Sequence, residues 1–441
     1  MMQHESIQSK SLYWLISPYG LAAASLAPLF LTLLISRDSY ETYANEPCLM
    51  CGDVWMPFFC ILNTAMFVLG AKISNIFVVG RHLSRAKSPA FTAASMQMLV
   101  LIMIGLTLLN IISFGIMVKN TPGLIGLILS GGGDVAKSAI NTEGAFSQVQ
   151  PLLIYFNAYA LLKYLTIKDE LSVAWQRTFR LLFLIAVVVT VLIAIAKVAR
   201  YEMMPVLISL ALVYALHLAK TKRITNGVLL SYLLIGFVGL VGVFSLFSVM
   251  RGFVEVEDVI GTLIGYGPAS YNHLVALLSG EMVMTHGGTG VYAFPFLGHV
   301  PLLESMFKIT DKLGLPSAEM AFLAEFIDTE YAGLNRGYIW VTFYGYVFSD
   351  LGYWVFLFMF ALGVAAASLF RDFVGGGGFG GLLYPLIFVG MVLAFSFNIT
   401  LRPSSFAVLI VAVFIAWGER LMRAMFGVDR IQFVRRPDVS R

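Results

Sequence analysis

The chain has 441 residues, of which 59% are hydrophobic and only 12% charged, with a net charge of +4. A soluble globular chain carries about twice that share of charge, so a water-soluble domain is excluded. The apolar residues form long continuous runs rather than ten-residue alternations, which excludes an outer-membrane barrel. Roughly 20 apolar residues cross a bilayer as a helix, because backbone groups in lipid must be satisfied internally.

Ten such runs follow one another, at 12–36, 54–79, 95–118, 149–166, 178–196, 203–219, 227–250, 339–369, 380–399 and 403–421. They predict an all-α, polytopic membrane protein with about ten crossings, one membrane domain over 1–441 and one large loop at 251–338. The first run is too long, and lacks the small-residue cleavage site, for a cleavable signal peptide. After it, Cys48 and Cys51 form a C-x-x-C that can close as a local disulfide in an oxidising compartment. Cys60 is the remaining cysteine, so a disulfide-relay enzyme is not expected. Lys72 and Asp350 are charges within runs, where charge is costly, and Asp350 is expected to face the bundle interior and contact an arginine. The Gly-rich stretch 375–381 lacks the Lys-Ser/Thr of a P-loop and reads as a flexible link.

Between the fifth and sixth runs stands a five-residue knuckle, Lys197-Val198-Ala199-Arg200-Tyr201. One helix over 178–219 would be about 60 Å long, twice the hydrocarbon core, so the knuckle separates two crossings. Pro205 suits the first turn of the second helix. Most of the 29 Lys and Arg residues fall on the side of the N-terminus, among them Arg81, Arg85, Lys163, Arg180, Lys220, Arg371 and the C-terminal arginines. The positive-inside rule makes that side cytoplasmic and places both termini there. The knuckle, the long loop, Arg251 and Arg402 are then outside.

An arginine at a helix end ordinarily snorkels to headgroups, and Lys197 reads as such an anchor. Arg200, Arg251 and Arg402 ask for more: they run against the positive-inside bias and each has apolar neighbours. Arginine stays charged when partly buried and grips phosphate in a bidentate fork, so a pyrophosphate is a suitable partner. Glu202 is placed to orient Arg200.

The long loop is patterned. Leu274, Leu277 and Leu278 fall on helical spacing, and Met320, Leu323, Ala324 and Ile327 line one face of a second helix. Glu319, Glu325 and Asp328 sit mostly off that face. Ser317 is a plausible N-cap, and Glu319 suits the first turn. Both helices are expected to lie along the interface and roof a crevice. A general base for a hydroxyl is sought among His273, His286 and His299, or a carboxylate. His273, beside Tyr271 and Asn272, can reach inward, and His286 sits in a Gly-rich turn that lets backbone approach a sugar. None has metal spacing, and Glu255, Glu257 and Asp258 read as a solvated acidic turn, so neither metal nor cofactor is expected. Tyr331, Tyr338, Trp340, Tyr344 and Tyr346 fit either an interfacial belt or sugar-stacking platforms.

The passages "AKVARYEMMPVLISLALVY", "FSLFSVMRGFVEVED", "GLNRGYIWVTFYGYVFSDLGYWVFLFMFALG" and "FNITLRPSSFAVLIV" resemble the O-antigen polymerase (Wzy-type) family of oligosaccharide repeat-unit polymerases. The resemblance spans residues 190–420 or so, and is one of topology and scattered residues. Leu351 departs from the commoner aromatic of the Asp-aromatic-Gly step at Asp350–Gly352. The resemblance implies a metal-independent glycosyltransferase of the bacterial inner membrane. Its substrates would be two undecaprenyl-pyrophosphate-linked oligosaccharides, with membrane lipids around them. A chain-length regulator and a flippase would be possible partners, and nucleic acid none. It implies catalytic roles for Arg200, Arg251, Arg402 and His273, and substrate contacts for Glu202, Tyr271, Asn272, His286, Asn335, Arg336 and Asp350. An O-antigen ligase, which passes the glycan to lipid A core, shares the topology. A flippase or transporter would show paired repeats, and none is visible.

Overall fold

The computed structural model describes residues 7–79, 93–130, 132, 149–221, 226–252, 256–299, 304, 307–397 and 399–426. Helices and connecting turns make up this part, with no strand among the described residues. The first predicted run is two helices, α1 (Ile7–Ile16) and α2 (Pro18–Thr32). They break at Ser17, whose hydroxyl donates to the Trp14 carbonyl and accepts from the Gly20 N–H, with Pro18 opening α2. Helix α3 (Arg37–Ala44) then turns away by 94°. The loop after it carries a disulfide between Cys48 and Cys51.

Helices α4 (Trp55–Val79), α5 (Ala93–Asn120), α6 (Leu124–Leu129), α7 (Val149–Ile167), α8 (Val173–Ala196), α9 (Arg200–Thr221) and α10 (Asn226–Met250) follow. The long loop contributes α11 (Val256–Tyr266), α12 (Pro268–Ser279), α13 (Ile309–Leu313) and α14 (Ala318–Tyr331). The chain returns through α15 (Thr342–Leu351), α16 (Val355–Gly375), α17 (Gly378–Val392) and α18 (Pro403–Phe426).

Among the described residues, five helices are long and apolar enough to cross a membrane, or six if the bent α2–α3 pair counts as one. This is the signature of an all-α integral membrane protein, with fewer qualifying spans than the ten runs. The difference has local reasons. Helix α7 is the bundle's axis, buried on every side, and carries Gln150, Asn157 and Lys163 among its buried residues. Helix α17 is also an interior helix, of 15 residues. Helices α5 and α8 instead turn Leu101, Leu181, Leu184 and Leu192 outward. An apolar surface that continuous suits lipid and not water.

Two helices meet more closely than the rest. On α4, a Cβ at Gly70 would strike the Phe360 carbonyl, and on α16 a Cβ at Gly363 would strike the Phe67 carbonyl. Small residues permit such backbone approach where lipid supplies no hydrophobic drive between helices. The Ser74 and Ser368 hydroxyls hydrogen-bond across the same seam at 3.2 Å. Toward that end Arg371 donates to Asn75 Oδ1 and Ser74 Oγ, Lys163 to the Gly376 carbonyl and Lys220 to the Val374 carbonyl. The Gly-rich stretch there is an ordered turn rather than a flexible link: Gly376 takes φ 78° and caps α16, and the Gly380 N–H donates to Asp372.

Gly363→Leu is expected to force α4 and α16 apart and to cost about 1–3 kcal/mol or more. Thermal unfolding in detergent should show a lower midpoint, whereas Gly105→Leu, whose site is open, should leave it unchanged.

Candidate functional site

The knuckle is a helix C-cap with an unusual occupant. Helix α8 ends in a Schellman motif: the Ala199 N–H donates to the Ala194 carbonyl and the Val198 N–H to the Ile195 carbonyl. The left-handed position belongs to Val198, at φ 48°, where a β-branched residue is strained. That turn presents the Val198 carbonyl to Arg251, whose Nη2 donates to it at 3.0 Å while Nη1 reaches the Tyr266 hydroxyl at 3.4 Å. Arg251 and the backbone of Arg200 therefore belong to one corner. Arg200 opens α9, and its side chain lies outside the described residues. Pro205 falls in the second turn of α9, since the helix starts earlier than predicted.

Lys197 is not a headgroup anchor. Its Nζ donates to Gln150 Oε1 at 2.8 Å and Glu202 Oε1 at 2.9 Å, so the ion pair points into the bundle. Glu202 is thus engaged by Lys197, and its second oxygen is buried without a hydrogen bond.

This pair forms one wall of a crevice of about 490 Å³ at the end of the bundle that carries the long loop. Another part of the lining is the turn between α17 and α18. There the Arg402 guanidinium lies over the Phe397 ring, 3.6 Å from its centroid. The turn is braced by the Ser405 hydroxyl on the Ile399 carbonyl, the Phe296 N–H on the Leu401 carbonyl, and Phe296 stacked on Phe406 at 4.6 Å. Stacking occupies the guanidinium face, and its hydrogen-bond donors lie in the edge.

Helix α14 roofs the crevice, capped as expected by Ser317 on the Met320 N–H. Its apolar face is turned outward. Met320, Leu323 and Ile327 are exposed, while Ala321, Ala324, Glu325, Asp328 and Thr329 are buried. The buried set repeats at i, i+3, i+4, i+7, i+8, one stripe of a helix. Asp328 accepts from the Thr285 N–H at 2.8 Å and from the Thr285 hydroxyl. Glu325, 8% exposed, lines the crevice and accepts from the Tyr346 hydroxyl at 2.6 Å. Burial pushes its carboxyl up to about 8, against the lowering effects of the Tyr346 hydrogen bond and the Arg402 charge. At neutral pH the carboxyl is therefore mostly uncharged, and Arg402 remains a positive charge in the lining of the crevice. The Tyr155 hydroxyl, on α7, also lines the space and is buried without a hydrogen bond.

The remaining predicted residues are placed elsewhere. His273, Asn272 and Tyr271 lie on α12, wholly buried and away from the crevice lining. His273 Nε2 meets Glu46 Oε2 at 3.0 Å, and the Asn335 N–H reaches the same oxygen at 2.8 Å. Glu46 Oε1 accepts from the Tyr40 hydroxyl and from Asn272 Nδ2, the latter at 2.9 Å. Asn272 Oδ1 takes the Leu49 and Met50 N–H groups, and Asn335 Nδ2 donates to the Ala44 carbonyl. Asn45, left-handed at φ 52°, ends α3 and turns the chain so that Glu46 enters this clasp. Burial alone would raise the Glu46 carboxyl, but His273, Tyr40 and the Asn335 N–H outweigh it, and the group sits below its ordinary value.

Asp350 is held by backbone N–H groups rather than by the expected arginine. Its Oδ2 accepts the Tyr292 and Ala293 N–H groups, each at 2.7 Å, which pins the loop strand that lines the crevice. His286 sits half-buried in the turn before that strand. Arg336 is a surface residue paired with Glu330 at 3.4 Å. Glu257 is exposed, and Glu255 lies outside the described residues. The aromatic set is sorted by the fold. Tyr331 is 87% exposed, Tyr344 is buried against Thr64, and Trp340 and Tyr346 line the crevice.

The chain was compared with family models, with curated proteins and with solved structures, and nothing matches in any of the three. The crevice rests on its own geometry. Of the predicted site residues it gathers Glu202 and Arg402. It adds Lys197, Glu325, Tyr155, Tyr292 and Tyr346, which had been passed over or given other roles. The one sequence signal for Glu325 was its place on a stripe with Ala321, Ala324 and Asp328.

Removing the centre of the clasp is expected to be severe. Glu46→Ala leaves His273 and the Tyr40 hydroxyl buried without their acceptor, at a cost of about 3–5 kcal/mol. The thermal midpoint in detergent should fall sharply, and Glu46→Gln should fall less.

Proposed function

We propose that the chain is a membrane glycosyltransferase that polymerises undecaprenyl-pyrophosphate-linked oligosaccharide repeat units into O-antigen or a related surface polysaccharide. In this reading the reaction runs at the outer face of the bacterial inner membrane, in a ten-crossing protein with cytoplasmic termini. The observation that carries it is Arg402, a permanently charged fork stacked on an aromatic ring in the wall of a half-closed crevice.

The chemistry follows from what the crevice offers. An acceptor hydroxyl attacks the anomeric carbon of the growing chain, and lipid pyrophosphate leaves. Negative charge grows on the leaving group, and a preorganised cation in a low-dielectric site stabilises it most where the charge develops. Arg402 supplies that cation. Lys197 is a second, held by Glu202 and Gln150. The volume lies within the usual range for small-molecule sites, about 300–1,000 Å³. It therefore holds the reacting ends of two long substrates, while lipid and glycan extend beyond it. Trp340, Tyr292 and Tyr346 give the wall the flat apolar surface that sugar faces stack on. The outward apolar face of α14 suits a roof that rests against lipid. Arg251 stands outside this wall and braces the knuckle that positions Lys197 and Glu202.

In a strain deleted for the gene, surface polysaccharide should collapse to a single capped repeat, and the wild-type copy should restore the ladder. Arg402→Ala should abolish the ladder while the protein still inserts, and Arg402→Lys should restore little of it, because a point charge replaces a bidentate fork. Arg200→Ala and Arg251→Ala should also lose chain extension. Accumulation of full-length polymer on the carrier lipid would identify a ligase instead, and an unchanged ladder in Arg402→Ala would remove the arginine from the reaction.

A further inference from the structure

The reaction needs a group to take the proton from the acceptor hydroxyl, and the sequence pointed first to His273. The fold seals His273 into the clasp with Glu46, side chains fully buried, so another group must serve. We propose that Glu325, held by Tyr346 in the wall of the crevice, accepts that proton as the glycosidic bond forms. This rests on the polymerase reading above.

Glu325 satisfies conditions met by no other carboxylate at the site. It lines the crevice yet is nearly inaccessible to bulk water. One oxygen is fixed by the Tyr346 hydroxyl, which leaves the carboxylate's other lone pairs for a hydroxyl donor. The Arg402 charge acts on it directly, so proton acceptor and leaving-group stabiliser belong to one cavity. Glu202 also has one oxygen without a hydrogen bond, but its charge is matched by the Lys197 ion pair; Glu319 is exposed on the first turn of α14, and Asp328 and Asp350 are spent on backbone N–H groups.

In the step itself the acceptor oxygen bonds to the anomeric carbon and its proton passes to the Glu325 carboxylate. The bond from that carbon to the pyrophosphate oxygen breaks, and its electron pair leaves with the pyrophosphate toward Arg402. Glu325 then returns the proton to water at the crevice mouth. Other charged and titratable groups bear on Glu325. Tyr346 and Arg402 favour its ionised form, and Asp328 opposes it. Tyr292 lies against Tyr346, with ring centroids 5.9 Å apart, and the Lys197–Glu202 pair lines the same cavity.

The test uses purified full-length protein in nanodiscs and two readouts. The first is infrared difference spectroscopy against pH, with no substrate. A carboxyl C=O band should titrate near pH 8 in the wild type, be absent in Glu325→Gln, and titrate higher in Tyr346→Phe, which loses the hydrogen bond that favours the anion. The second is chain extension from repeat units on undecaprenyl pyrophosphate, extracted from the deletion strain. The rate should rise about tenfold per pH unit below pH 8 and level above it, as expected of a base that must be ionised. Glu325→Gln should lower it about 10²–10⁴-fold, Glu325→Asp should restore part, and Tyr346→Phe should move the midpoint upward with the infrared band. Glutamine mimics the protonated carboxyl that prevails at neutral pH, so the fold is retained. Wild-type rate and pH profile in Glu325→Gln, or an unmoved midpoint in Tyr346→Phe, would overturn the proton role. If Arg402→Ala is inactive in that same assay, the polymerase reading survives the loss of the Glu325 role; if the wild-type protein itself extends nothing, that reading fails too.

Discussion

Glu46 is the point at which distant parts of the chain are made to agree. Its two oxygens collect His273 from α12, Asn272 from the same helix, Tyr40 from α3 and the Asn335 backbone from the end of the long loop. A buried carboxylate with fewer partners would be costly, so each of these groups is required where it stands. The clasp joins the loop after α3 to both α12 and the segment that follows α14. The roof of the crevice is therefore anchored at its C-terminal end by a residue 289 positions away in sequence from Asn335. The catalytic geometry proposed for Glu325 depends on this anchor, though no atom of Glu46 lines the crevice.

The second constraint is the solvent. A helix lying on a protein in water turns its apolar stripe inward, whereas α14 turns Met320, Leu323 and Ile327 out and Glu325 and Asp328 in. The same inversion governs α5 and α8, whose leucines face outward while the polar side chains of α7 are enclosed. Polarity in such a molecule collects in the bundle axis and at the helix ends. The crevice lies at one of these ends, where α7, the knuckle, α14 and the α17–α18 turn converge.

Much of the architecture could be read from the chain. The knuckle separates two helices, Ser317 caps α14, and Asp350 faces inward because a charge in an apolar run must find polar partners. The identity of those partners was not legible. Asp350 was expected to meet an arginine and instead holds two backbone N–H groups, since a loop strand 58 residues away happens to present them. Lys197 looked like a headgroup anchor because its sequence neighbours are apolar, while the acceptors that draw it inward are Gln150, 47 positions earlier, and Glu202. His273 looked reachable because histidine is the commonest general base, and nothing nearby in sequence shows that Glu46 covers it.

Composition and run length alone determined that the chain is helical and built for lipid, because the bilayer demands long apolar segments with internally satisfied backbones. They also placed most of its charge at helix ends and in the connecting loops, where charge is tolerated. Tertiary structure alone decided which charges meet. Pairing between Lys197 and Glu202, Glu325 and Tyr346, or Glu46 and His273 depends on how helices pack and rotate against one another. Rotation is set by the summed fit of many side chains to lipid and to each other, a quantity no short stretch of sequence contains.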